Sequence, residues 1–251
     1  MPRIISFRLA AVCALALSLT FAFAGVAAAK GPVADLRVVG TGGKVLAEKT
    51  LGSASLSVKA SPKATCFGPD NGGSGDNVQV KANSALGLLI AGSRTIAALK
   101  PLLITDAFDF GLALCGVGSS VAKGSSSWYL KINHKSLPVS GDAAKIKAGD
   151  EVLWTLAKTE APDYAYPDEL VLTAPASAQA GMEFTVRVWA YDEKGKRTAA
   201  EGVKVTGAAQ PTGADGRTTV TLSKPAKLGA RATGLIPSAR EAVCVGGKCP
   251  K

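Results

Sequence analysis

The sequence predicts an α+β chain in two domains: strands around one main helix in the first half, strands alone in the second. Three observations predict it. Only the stretch after Asn83-Ser84 carries apolar residues at i, i+3, i+4 spacing, in Leu86, Leu89 and Ile90. Most other apolar residues alternate with a period of two. Between the two halves stands Thr159-Glu160-Ala161-Pro162-Asp163-Tyr164-Ala165-Tyr166-Pro167, whose two prolines mark a linker over 159–167.

The elements follow in order. Ala34, Leu36 and Val38 alternate, and Thr41-Gly42-Gly43 turns the chain into a strand at Val45-Leu46 and another at Leu56–Val58. Residues 68–77 form a Gly- and Asp-rich loop. Its Asp70, Asn71 and Asp76 lack the ligand spacing and terminal Glu of an EF-hand, so a solvated loop is expected. Asn83 or Ser84 caps the helix, which runs to about Gly92 or a turn beyond and stops before Pro101. Two strong strands follow. Trp128, Leu130 and Ile132 share one face of the first; Val152, Trp154 and Leu156 share one face of the second. A few strands, one helix and more strands make an α+β pattern.

In the second half Leu170 and Leu172 alternate, as do Phe184, Val186, Val188 and Ala190. Tyr191–Lys196 is turn-like, Val203 and Val205 follow, and Ala214-Asp215-Gly216 leads into Val220 and Leu222. Further strands are expected around 230–232 and 242–245. Short strands at this spacing indicate a β-sandwich.

The ends and the charge set the compartment. Arg3 and Arg8 precede an apolar run from Leu9 to about Val26, which closes in Ala27-Ala28-Ala29. That is the tripartite form of a signal peptide over 1–29, and Cys13 leaves with it. No later stretch approaches the ~18 apolar residues of a membrane span. The C-terminus carries no apolar tail, so a released or non-covalently held chain, secreted or at the cell surface, is expected. The mature chain keeps 222 of the 251 residues, and its charge is the +10 of the whole less Arg3 and Arg8, or +8. Its Lys and Arg are spread singly with no basic cluster, which points to solubility rather than to anionic wall polymers, membrane surfaces or nucleic acid.

Four cysteines remain: Cys66, Cys115, Cys244 and Cys249. An even count in an exported chain implies disulfides, and three pairings exist. The most economical joins Cys66 to Cys115 and Cys244 to Cys249. The first closes a long loop, for about 4 kcal/mol of chain-entropy stabilisation. The second rings Val245-Gly246-Gly247-Lys248.

The run Trp128-Tyr129-Leu130-Lys131-Ile132-Asn133-His134, with Gly149-Asp150-Glu151-Val152-Leu153-Trp154, resembles the bacterial DUF4430 domain, a relative of the transcobalamin C-terminal domain. Ser84-Ala85-Leu86 at the helix start, and Cys66 with Cys115, also fit its exported members. The resemblance covers about residues 33–158 and implies a small β-grasp-like domain over 30–158. Ala180–Val186 and Thr212–Val220 resemble bacterial immunoglobulin-like modules, which implies an Ig-like sandwich over 168–251. The transcobalamin likeness further implies that a corrinoid-like ligand would touch Trp128, Tyr129, His134 and Trp154. The helical partner domain of transcobalamin has no counterpart here. The residues alone favour Trp128 and Trp154 as core anchors.

No catalytic residue, metal site or cofactor is expected. A hydrolase triad needs a base beside a nucleophile. The single histidine, His134, sits in a turn-forming sequence, Asn133-His134-Lys135-Ser136, where a structural role is expected. Trp189 and Tyr191, on the face opposite Val186 and Val188, suit either an exposed binding patch or packing on the neighbouring domain. A monomeric, non-enzymatic binding or surface-interaction protein is therefore the expectation, its partner an extracellular ligand, a wall polymer or a protein. A small-molecule carrier and a structural spacer are the alternatives.

Overall fold

A computed structural model describes residues 30–159 and 165–250. The expected signal peptide at 1–29 lies outside the described residues, as do positions 160–164 of the linker. The described chain is mostly β-strand, in several sheets, with one α-helix.

The first half opens with β1 (Lys30–Val39) and β2 (Val45–Ala54), then β3 (Leu56–Lys59) and β4 (Asn77–Val80). The helix α1 (Ala85–Thr95) follows, then β5 (Leu102–Thr105), β6 (Ala113–Val117) and β7 (Ser120–Val121). It ends with β8 (Ser126–Ile132), β9 (Lys135–Ser136) and β10 (Glu151–Lys158). The main sheet runs β2-β1-β10-β8-β9. Only its central pair, β1 with β10, is parallel.

The helix starts as its sequence requires. Ser84 is the cap, and its hydroxyl accepts from Gly87 N at 3.0 Å. The next free amides are taken by a loop. Ala85 N donates to Ala144 O and Leu86 N to Gly141 O, both at 2.9 Å. Leu86, Leu88, Leu89 and Ile90 are buried against Leu36, Val38, Trp128, Leu130 and Trp154 of the sheet.

The second half comprises β11 (Glu169–Thr173), β12 (Ser177–Ala178), β13 (Glu183–Tyr191), β14 (Arg197–Ala199) and β15 (Lys204–Val205). Then come β16 (Arg217–Thr221), β17 (Ala226–Leu228), β18 (Ala230–Arg231) and β19 (Glu241–Val245). Strand β13 is the hub, antiparallel to β11 on one side and to β14 and β16 on the other. A second sheet runs β12-β19-β17. Leu170, Leu172, Val186, Val188 and Val220 of the first sheet share one core with Leu228 and Val243 of the second.

Each half thus has its own apolar core. A third small cluster joins them: Val39 and Leu153 from the first half and Ile236 from the second. Cys66–Cys115 and Cys244–Cys249 are the two disulfides, each within one half.

Candidate functional site

The main sheet, the helix start and two loops enclose a groove of about 570 Å³. Its floor comes from β8 and β10. Trp154 stands opposite Leu130 and Leu156 opposite Trp128, so the two indoles lie diagonally on one face of adjacent strands. Leu86 of α1 lies beside them.

One wall is the loop Leu137-Pro138-Val139-Ser140-Gly141, held by its backbone bonds to the start of α1. Gly141 has to be glycine, because a Cβ there would collide with the Trp154 ring. The opposite wall is Phe67 with Leu112, Ala113 and Leu114. The Cys66–Cys115 disulfide fixes this wall, since its two ends immediately precede Phe67 and follow Leu114. Asp142 ties the walls together by accepting from Leu112 N at 3.1 Å.

The rim is aromatic. Phe108 meets Phe67 edge-on at 5.4 Å and stacks on Phe110 at 4.9 Å. Tyr129 and Tyr166 add a second aromatic pair, 4.0 Å between ring centroids. Burial, with the neighbouring Tyr129 and Glu193, pushes the Tyr166 hydroxyl above its ordinary pKa, so it stays a neutral donor at physiological pH. Of the five large apolar side chains left well exposed among the described residues, Phe67, Phe110 and Val139 stand at this groove.

Its polar atoms decide what the groove can take. Five buried side-chain polar atoms among the described residues have no hydrogen-bond partner, and three of them belong to groove-lining residues: Trp128 Nε1, Trp154 Nε1 and Ser140 Oγ. A buried donor without a partner costs about 1–3 kcal/mol. An indole N–H can only donate. No lining residue carries a charge. The arrangement therefore suits a neutral, largely apolar ligand.

Trp128, Tyr129 and Trp154 come together here, as groove lining and core at once: Trp128 is 9% and Trp154 4% exposed. His134 does not join them. It lies in a second cleft, of about 350 Å³, between the two halves of the chain. Asn133 and His134 both have positive φ, which is the turn that the sequence shows there. That turn aims the imidazole at the second half. Its Nδ1 lies 3.2 Å from Glu169 Oε1 and its ring 4.3 Å from that of Tyr191. Nε2 lies 3.5 Å from Glu151 Oε2.

Glu169 is the centre of this seam. Arg37 Nη2 donates to its Oε1, and Lys131 Nζ lies 3.8 Å from its Oε2. Arg37 also donates to Pro237 O at 2.8 Å, and Lys131 to Tyr191 O and Asp192 O at 3.1 Å each. Burial raises the Glu169 pKa, but the His134 hydrogen bond and the Arg37 and Lys131 charges outweigh it and hold the carboxyl below its ordinary value. Burial lowers the Lys131 pKa against the pull of Glu169, Asp168 and Asp192. Arg37, Lys131 and His134 of the first half thus converge on the one Glu169 carboxylate of the second.

Phe67, Phe110, Ser140 and Tyr166 also line the groove, beyond the residues the sequence singles out. One signal points to them: apolar residues inside loops, as in Leu137-Pro138-Val139 and around Phe108 and Phe110. Comparison of the chain with protein-family models, with curated proteins and with solved structures finds no match.

Proposed function

We propose that the chain is an exported, non-enzymatic binding protein. Its first domain is β-grasp-like and holds a neutral ligand in the aromatic groove; its second is Ig-like. The observation that carries the reading is an uncharged cleft with exposed aromatic side chains, three of whose lining residues also hold buried polar atoms without a partner. Apolar ligand surface would cover the exposed Phe67 and Phe110, and a shift of the buried indoles or of Ser140 toward the groove would let ligand acceptors pair with them.

The β-grasp-like reading is supported by one helix packed across a mixed sheet with a parallel central pair. The Ig-like reading is supported by the two small sheets that share one core. Export is supported by the two disulfides. The non-enzymatic reading is supported by the commitment of the single histidine, His134, to the seam between the halves.

A corrinoid carrier is the narrower alternative, favoured by the transcobalamin likeness. A corrinoid is large and amide-rimmed, so a groove of about 570 Å³ would take one edge of it. A structural spacer is the other alternative. The buried ionic seam favours it, since that seam suits two domains held as one body.

The test is a titration of the mature chain with neutral ligands: a quinone, a diacylglycerol, cyanocobalamin and a neutral oligosaccharide. Quenching of tryptophan fluorescence and a rise in thermal midpoint report binding. A saturable rise with one of them, reduced in Trp154→Phe, is the expected result. A response to cyanocobalamin alone makes the protein a corrinoid carrier. No response to any of them removes the groove reading and leaves the spacer. A turnover abolished by a single substitution would overturn the non-enzymatic reading.

A further inference from the structure

The second domain carries a different surface. On β13 the residues between the core positions are Thr185, Arg187, Trp189 and Tyr191, which face away from Val186, Val188 and Ala190. The register places Arg217 of β16 and Thr173 of β11 opposite Arg187. It places Ala199 and Val171 opposite Trp189, and Arg197 opposite Tyr191. Ala199 and Val171 are short neighbours, and two guanidiniums lie over the Trp189 ring. The Arg187 guanidinium lies 3.7 Å and the Arg197 guanidinium 4.6 Å from its centroid.

This gathers three arginines that stand 10 and 20 positions apart in the sequence on one sheet face. Arg217 has a partner, Asp215 at 3.7 Å. Arg187 and Arg197 have no carboxylate within ion-pair distance among the described residues, and the buried Arg187 Nε has no hydrogen-bond partner. Like charges directly opposite in a sheet are unfavourable. Here Arg187 faces Arg217 across the strands, and no carboxylate among the described residues lies within ion-pair distance of Arg187.

We infer that the Arg187–Trp189–Arg197 strip is an anion-binding surface for a phosphate-bearing extracellular polymer. Guanidinium forks bind oxyanions bidentately. Two guanidiniums over one ring approach an anion from different strands, which favours one whose oxygens point in several directions. A tetrahedral phosphate meets this, whereas the two oxygens of a carboxylate lie in one plane. A polymer fits better than a free ion because the surface is an open sheet face of exposed Arg197, Arg217, Thr185 and Thr219 rather than a pocket. The strip lies outside the neutral groove of the first domain, and the inference does not depend on what that groove binds.

The test uses immobilised inorganic polyphosphate and the mature chain. Binding is expected to fall as salt rises. Arg187→Gln with Arg197→Gln is expected to weaken it about tenfold or more, through the loss of two charge-assisted contacts. Lys59→Gln with Lys63→Gln removes the same charge from the first domain and is expected to change it less than about threefold. Equal losses in the two pairs, or no binding by the unaltered chain, would overturn the inference. So would equally tight binding to polygalacturonate, which offers carboxylates alone. Duplex DNA competing as well as polyphosphate would replace the polymer assignment with general nucleic-acid binding. If the double variant misfolds, Arg197→Gln alone, at an exposed position, carries the same comparison.

Discussion

Arg37 on the first strand and Glu169 on the first strand of the second half form a buried ion pair, 132 residues apart in sequence. With Lys131 and His134 on the same carboxylate, they set the docking of the two halves by charge rather than by apolar area. The apolar part of the seam is small: Val39, Leu153 and Ile236, with Val45 against them.

Breaking that pair from one side is therefore costly. Glu169→Ala leaves Arg37 and Lys131 as buried, uncompensated cations, for an expected loss of about 3–5 kcal/mol. Arg37→Met combined with Glu169→Leu removes both members and is expected to cost less than the Glu169→Ala single change. Urea unfolding of the three proteins measures this. Equal losses for the single and double variants would show that the pair is not coupled.

Acid acts on the same carboxylate. Below its ordinary pKa the unfolded chain protonates Glu169 while the folded chain, with its lowered value, does not. The unfolded state then binds more protons, so stability falls as pH falls from about 4.5 through the folded value. Glu241 has the opposite sign. Burial, with Glu151 and Glu48 nearby, raises its pKa, so its contribution weakens as pH rises through the range between the ordinary and the folded value. Thermal midpoints from pH 3 to pH 7 are expected to show the advantage of the unaltered chain over Glu169→Gln shrinking in acid. A pH-independent gap contradicts the account.

The sequence carries the local half of this design and conceals the rest. Ser84 as helix cap, and Trp128, Leu130 and Ile132 on one strand face, follow from spacing alone, and the structure has both. The most economical cysteine pairing is the one that forms. Strand β2 is longer than its sequence suggests. Lys49-Thr50-Leu51-Gly52 has no apolar alternation, yet it pairs with β1 through Ala34↔Leu51 and Val33↔Gly52. Pairing with a strong neighbour decides that segment, not its own propensity. His134 sits at the turn its neighbours require, but its partners Glu169 and Tyr191 come from 35 and 57 positions downstream. The arginines of the second half are single in sequence and become adjacent only when β13, β14 and β16 pair.

The groove tryptophans offer a separate measurement. Trp128→Phe and Trp154→Phe keep an aromatic ring and delete a buried donor that has no partner. Relief of about 1–3 kcal/mol of desolvation offsets part of the packing lost with the larger ring. The ligand-free variants are therefore expected to lose less stability than Leu130→Ala, which only opens a cavity. Ligand affinity is expected to drop in both. Calorimetric unfolding of the four proteins reads the first outcome, and fluorescence or thermal-shift titration the second. A tryptophan variant less stable than Leu130→Ala would mean that the indole N–H groups are satisfied in the folded chain.

The two disulfides differ in what they hold. Cys66–Cys115 spans 49 positions and Cys244–Cys249 spans 5. Loop-closure entropy gives about 4 kcal/mol for the first and about 2 kcal/mol for the second. The first also pins Phe67 and Leu114 as a wall of the groove, while the second closes a turn of the second half. Cys66→Ser with Cys115→Ser is thus expected to lower both stability and ligand affinity. Cys244→Ser with Cys249→Ser is expected to lower stability by less and leave affinity unchanged. Denaturant unfolding and ligand titration on each double variant separate the two effects. Affinity that survives loss of Cys66–Cys115 would mean that β6 and the Phe67 loop hold the wall without the bridge.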